Sequence, residues 1–264
     1  MLVIAERINS SRKAIAKAIA DGDRAFIQSE AKAQAAAGAN YIDVNAGTFV
    51  GEEAAKLKWV VEAVQEATEL PLTIDSPDPE VIRAVLPLVK GTPMINSITL
   101  EHSRLEGVLP LVVECRTKVI ALCQAEEAMA ETAAQKVELA GRLVEKLAGA
   151  GVPRDDIYID PLVYPLSTNP KSAAATLEAI AAIMKTYPGV HTVCGLTNVS
   201  YGLPARKLVN RAFLAAAIPH GLDAAIIDPT DKLLFAMLKA ATVVAGKDDY
   251  CMEYICAFRE GRVE

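Results

Sequence analysis

The chain has 264 residues, 52% of them hydrophobic and 23% charged, and its 27 basic against 33 acidic side chains leave a net charge of −6. The two signs are interspersed with no basic block, which argues against nucleic acid as a partner, and apolar runs broken short of about 18 residues exclude a membrane-spanning helix. No charged, apolar and small-residue leader opens the chain, so a cytoplasmic protein is expected. Five cysteines without a CxxC pair read as reduced thiols, and three histidines without HxH or HExxH spacing leave no protein-bound metal expected.

Short apolar runs alternate with longer, alanine-rich stretches of helical period. The first run, LVIAERI from Leu2, carries Glu6, reaches Asn9 just beyond its end and precedes a helix predicted over 11–37. YIDVNAG from Tyr41 carries Asp43 and Asn45 ahead of a helix over 51–69. LTIDS from Leu72 holds Asp75 near its end, and the helix over 78–90 then opens with Asp78 as cap and Pro79 in its first turn. MINSIT from Met94 carries Asn96 ahead of 101–116, and VIALCQ from Val119 ends on Gln124 ahead of 130–150. IYIDPLV from Ile157 carries Asp160 ahead of 170–187, TVCGLTNV from Thr192 carries Thr197 and Asn198 ahead of 204–219, and AAIIDP from Ala224 brings Asp228 ahead of 230–246.

Eight strand and helix pairs in a chain of this length predict a single-domain α/β fold, a (β/α)8 TIM barrel over residues 1–264. The tail over 247–264 reads as an additional helix or strand, apolar enough to cover the barrel or a partner. A doubly wound sheet would show a glycine-rich phosphate loop after its first strand, and AERIN is followed by none.

In such a barrel the ligand lies at the C-terminal strand ends. The polar residues gathered there are carboxylates and amides, without the lysine that a Schiff-base aldolase needs. A carboxylate only accepts hydrogen bonds and an amide does both, a set suited to a neutral heterocycle with donors along one edge. Asp75, Asn96, Asp160 and Asn198, each isolated at the end of a buried run, are the expected ligand contacts. For others a structural reading stands beside the functional one: Glu6 pairs with Arg7 or another base, Asp43 and Asn45 bond backbone in the second loop, and Asp228 caps the last helix.

The run GLTNVSYGLPARKLVNRAFL from Gly195, with VIAERIN at 3–9, IDS at 74–76, MINS at 94–97 and YIDPL at 158–162, resembles the methyltetrahydrofolate:corrinoid methyltransferases. Those pterin-binding barrels are related to dihydropteroate synthase and to the folate domain of cobalamin-dependent methionine synthase. The resemblance covers essentially the whole chain. It implies movement of a methyl group between N5 of tetrahydrofolate and the cobalt of a corrinoid, in either direction. The folate is then a substrate, the cobalamin is carried by a partner corrinoid protein, and the enzyme is a homodimer. Residue by residue, it implies pterin contacts from Asp75, Asn96 and Asp160, a contact to N5 from Asn198, and substrate binding by Arg206. Thr197 stands where serine is commoner, and Tyr201 to Pro204 replace a polar loop of some members, which leaves contacts from that loop unassigned. A dihydropteroate synthase-like activity is the nearest rival, but the second loop, VNAGTFVGEE, offers no arginine for a pyrophosphate. A noncatalytic pterin-binding subunit is the other alternative.

Overall fold

The computed structural model describes residues 1–127 and 129–263. Its eight strands are β1 (Leu2–Asn9), β2 (Tyr41–Asn45), β3 (Leu72–Asp75), β4 (Met94–Ile98), β5 (Lys118–Leu122), β6 (Ile157–Asp160), β7 (His191–Thr192) and β8 (Ala224–Ile227). All pair in parallel, in the order β7-β6-β5-β4-β3-β2-β1-β8. Beyond the short β7, a bridge between Gly195 and Ile226 brings the two sheet edges together into a nearly closed barrel. This is the expected α/β TIM-barrel architecture.

The helices are α1 (Lys13–Asp21), α2 (Arg24–Ala36), α3 (Glu53–Gln65), α4 (Pro79–Val85), α5 (His102–Cys115), α6 (Ala133–Gly149), α7 (Ser172–Thr186), α8 (Arg206–His220), α9 (Lys232–Val244) and α10 (Met252–Arg259). The single helix expected over 11–37 is two. Gly22, at φ +69°, ends α1 in the left-handed region that glycine tolerates, and Asp23 caps α2 by accepting from Phe26 N. The helix expected over 78–90 starts on Asp78 and Pro79 as anticipated but gives way after Val85 to a 3-10 turn over Leu86–Leu88 that contains Pro87. The tail is helical: α10 packs on the outer side of α9 through Phe235, Ala257 and Val263. Glu264 lies outside the described residues.

One expectation fails in an informative way. The apolar stretch from Thr192 is not a long strand: β7 stops at Thr192, and Leu196–Ser200 forms a 3-10 turn. The strand-like hydrophobicity arises because Val193, Cys194, Leu196 and Val199 are fully buried in a turn folded back onto the barrel.

Side chains alternate along a strand, and that period connects the floor of the barrel to its mouth. Ile4, Tyr41, Met94, Ile120, Tyr158 and Ala224, from six of the eight strands, pack together with Val193, just past β7, as the interior plug. Two residues on from members of that plug stand Glu6, Asp43, Asn96 and Asp160. The register completes the row: Asn9 lies beside Asn45, Asn45 beside Asp75, and Asp75 beside Asn96. The outer strand faces pack under the helices, with Ile42, Ile74 and Ile95 in one cluster and Val3, Ala225 and Ile227 in another.

Candidate functional site

The mouth of the barrel holds two adjoining lobes. The larger, about 620 Å³, is lined by Glu6, Asn9, Arg12, Asp43, Thr197, Arg206, Lys207 and Asp228 among others. The smaller, about 420 Å³, is lined by Thr99, Glu101, Arg104, Gln124, Asp160 and Leu162. Asp75, Asn96, Gly195, Asn198 and Ile226 border both. The four residues expected from isolated strand ends are therefore gathered around one space, and Asn198 stands where the lobes meet.

Four of the acidic groups there, Asp75, Asp160, Glu6 and Asp43, are largely held away from water. Burial raises the Asp75 carboxyl to about 6, opposed by a hydrogen bond from Asn45 Nδ2 (3.1 Å) and by Arg104. Burial also raises Asp160 to about 6, although its Oδ1 accepts from Leu162 N (2.8 Å) and its Oδ2 from Gly195 N (3.3 Å). Glu6 is pushed to about 7 by burial and then by Asp228, with Arg12, the Thr197 hydroxyl and Arg206 pulling the other way. Asp43 is raised well above the usual carboxylate range by burial and by Asp75, while accepting from Asn96 Nδ2 (3.2 Å). Desolvation dominates every one of these shifts, because a charged form loses its hydration in the pocket.

The turn carrying Asn198 is clamped from below and above. Its amide N donates to Gly195 O (3.2 Å), and a Cβ at Gly195 would lie 3.3 Å from Asn198 Nδ2, so this close approach favours glycine. Arg206 donates from Nε to Ser200 Oγ (3.1 Å) and from Nη2 to Thr197 O (2.8 Å), with its guanidinium over the Tyr201 ring at 5.7 Å. Arg206 thus lines the larger lobe and also ties together the turn before it.

Several structural readings are now resolved. Glu6 does not pair with Arg7, which instead binds Glu30 (2.6 Å) and Asp228 (3.1 Å). Asp228 does not cap the helix expected over 230–246: Asp231 caps α9, accepting from Leu234 N (3.2 Å), and Asp228 accepts from Thr230 N and Oγ1. Asn45 stands behind Asp75 outside both lobes, bonded to Asp75, Ser10 and Gly47. Asn9 lines the larger lobe while its Oδ1 accepts from Ser11 N. Among the described residues no cluster of His, Cys, Asp and Glu is arranged to hold a metal ion, and no helix is long and apolar enough to cross a membrane.

A family model described as pterin binding enzyme matches residues 5–228. The chain belongs to the pterin-binding enzymes. It is 39% identical to the methylcorrinoid:tetrahydrofolate methyltransferase of Eubacterium limosum, over 100% of this chain and 98% of that protein. Over 86% of its length it is 33% identical to the methionine synthase of Mycobacterium tuberculosis, of which it spans 20%. Among solved structures, the dihydropteroate synthase of Xanthomonas albilineans with 4-aminobenzoic acid superimposes with a TM-score of 0.66 at 19% identity, over 93% of this chain and 92% of that one. The dihydropteroate synthase of Coxiella burnetii with pteroic acid gives 0.68 at 16% identity, over 93% of each chain. At such identities these two establish the barrel and nothing finer.

This pterin-binding enzyme also has site residues that strand ends do not reveal. Arg104 of α5 donates to Ser76 O (3.0 Å) and Ser97 O beneath the smaller lobe. Lys136 of α6 is wholly buried behind Asp160. Arg104 lines the smaller lobe, whereas Lys136 lies behind its wall on the Pro161 and Leu162 carbonyls; both come from helices, where a charged residue in an amphipathic pattern looks like a solvent-facing one, and no periodicity marks them.

Proposed function

We propose that this chain transfers a methyl group between a corrinoid and N5 of tetrahydrofolate, running from methylcorrinoid to tetrahydrofolate as in the relative it matches along its whole length. The observation that carries this reading at the site is the position of Asn198, an amide at the junction of two lobes whose inner walls are carboxylates. The smaller lobe takes the pterin ring. Its ring N–H and exocyclic amino group lie side by side as donors, and ionised Asp160 and Asp75 accept them, with Asn96 serving the mixed edge. N5 then faces Asn198 and the larger lobe, from which the methyl group arrives.

In the transfer, the N5 lone pair forms the new N–CH3 bond, the cobalt–carbon bond breaks with its electron pair remaining on cobalt, and the N5 proton must leave. The Asn198 amide donates to the N5 lone pair or, rotated, accepts from protonated N5 without changing its own charge. Glu6, facing the larger lobe with a carboxyl at about 7, takes the proton in the forward direction and returns it in reverse, a value matched to both tasks near neutral pH. Asp43, next in the acidic row and pushed up by burial and by Asp75, accepts from Asn96 Nδ2 and holds that amide in place.

The corrinoid is read as carried by a separate protein. Val50, Tyr201, Leu208 and Leu233 are exposed apolar side chains on the loops and first helical turns around the mouth, a surface suited to such a docking partner. A cytoplasmic homodimer completes the reading, with the alanine-rich α7 face between Glu178 and Met184 as the contact between copies.

The test is to mix the purified chain anaerobically with methylcobalamin and tetrahydrofolate and follow cobalamin absorbance together with methyltetrahydrofolate formation. The reverse mixture, Co(I) cobalamin with methyltetrahydrofolate, is run beside it. Enzyme-dependent transfer in either direction supports the proposal. Folate binding without transfer, with free cobalamins and with a corrinoid protein alike, overturns it in favour of a binding subunit.

A further inference from the structure

Lys136 is an anomaly of the fold: a lysine with no exposed surface, placed in the first turns of α6. Lysine is rarely buried fully, and a desolvated ammonium is costly unless each of its donors is met. Here all three directions are used. Nζ donates to Pro161 O (2.8 Å) and Leu162 O (2.5 Å), and it lies 4.8 Å from the centre of the Tyr164 ring. Those carbonyls belong to the turn immediately after Asp160. Leu162 is at φ +56°, a left-handed conformation unusual for a leucine, and its N–H donates to Asp160 Oδ1 (2.8 Å). One turn therefore shows its carbonyls to the lysine and its amide to the aspartate.

We propose that Lys136 is a positioning residue for substrate binding: by fastening the Pro161–Leu162 carbonyls it aims the Asp160 carboxylate into the mouth, and its charge keeps that carboxylate an acceptor. The inference rests on the reading of Asp160 as a pterin contact. Around the ammonium, the titratable neighbours are Cys123 just after β5, Asp160 from β6 and Cys194 after β7, with Tyr164 across the turn. Both thiols are buried and pushed above their usual range, so they stay neutral, and Asp160 is the one carboxylate there that the lysine's charge lowers, adding to the Leu162 and Gly195 amide bonds that oppose its burial. A methionine would fill the same volume, so packing alone does not call for an ammonium. Across the mouth the arrangement recurs: Arg104 reaches from α5 to the carbonyls of Ser76 and Ser97 and lowers Asp75. Each buried carboxylate of the smaller lobe is backed by one helix-borne cation bonded to main-chain carbonyls beside it.

The experiment measures the tetrahydrofolate dissociation constant anaerobically from pH 5 to 8.5 for wild type, Lys136→Met, Lys136→Gln and Lys136→Arg, with thermal melts to establish folding. Wild type should weaken as pH falls through about 6, where Asp160 and Asp75 take up protons. Removing the charge raises the Asp160 carboxyl, so Lys136→Met and Lys136→Gln should begin to weaken about one pH unit higher, while Lys136→Arg keeps the wild-type profile. A uniform loss with an unmoved profile makes Lys136 structural only and overturns the proposal, as does unchanged binding. If the neutral variants fail to fold, a Lys136→Arg chain that folds but has a shifted profile also overturns it, and one that keeps the profile supports it. Wild-type chain that binds no tetrahydrofolate at any pH would instead remove the functional reading itself.

Discussion

The two ends of the barrel treat buried charge in opposite ways. At the floor, where the strands begin, charges are paired: His191 lies between Asp223 (2.7 Å) and Asp155 (3.1 Å) and stacks on Tyr158, and Lys118 binds Asp156 (2.7 Å). At the mouth, Glu6, Asp43, Asp75 and Asp160 converge on open space; Arg12, Arg104, Arg206 and Lys207 line the same space, but among the described residues none of the four carboxylates is in a direct ion pair, and burial raises every one of them. On the proposed reading, carboxylates that destabilise the empty fold are retained because donors of a ligand meet them there, and buried groups with shifted pKa values are typical of functional sites. On the same reading the floor contributes stability and the mouth gives some of it up for recognition.

Changes at the mouth should therefore harm function, and changes at the floor should harm stability. The largest effect is expected from Asn198→Ala, with turnover falling about 100- to 1,000-fold, the scale seen when one preorganised transition-state contact is removed. Its folate dissociation constant should move far less; equal losses in both would make Asn198 a simple binding contact. Asp75→Asn should weaken tetrahydrofolate by roughly 10- to 100-fold in equilibrium titration, since it replaces a charged acceptor worth about 1.5–3 kcal/mol.

At the floor, Asp223→Asn weakens bonds to His191 Nδ1 and Thr192 N. A loss of about 1–2 kcal/mol is expected in denaturant melts, with kcat unchanged. A drop in turnover there would blur the division between the two ends.

The two ends also set a pH dependence. Asp75 and Asp160 at about 6 and Glu6 at about 7 are all raised above their unfolded values. Their contribution to stability is then complete below about pH 4, and it is lost as pH rises through 6 to 7. His191, raised by its two aspartates, acts with the same sign: its contribution is present below about pH 6.5 and lost as pH rises through its higher folded value. The ligand-free chain should consequently melt at a higher temperature at pH 5.5 than at pH 8 in a calorimetric series, and saturating tetrahydrofolate should narrow that gap.

The mouth was largely legible in the sequence because strand period and strand order do the positioning. Once Ile4, Tyr41, Met94 and Tyr158 face inward, Glu6, Asp43, Asn96 and Asp160 must follow them. What escaped was set by tertiary packing. The turn at Leu196–Ser200 is as apolar as a strand because it is buried like one, and hydrophobicity reports burial before it reports conformation. Lys136 and Arg104 carry no local signal, since their partners are main-chain carbonyls on loops 25 and 28 residues away in sequence. The break at Gly22-Asp23 departs from the single helix expected over 11–37, although a glycine stop followed by an aspartate cap is a local signal for it.

Thermal unfolding at pH 8 of wild type and Asp75→Asn, each without and with saturating tetrahydrofolate, puts the division between mouth and floor to its sharpest test. Asn at position 75 can still accept from Asn45 while removing a desolvated charge. The ligand-free variant should melt a few degrees above wild type, each kcal/mol being about 2–4 °C for a chain of this size, and the ligand should raise wild type much more than the variant. A ligand-free variant that melts below wild type, or an equal ligand-induced rise in both, would contradict the view that these carboxylates are held at the expense of stability to bind folate.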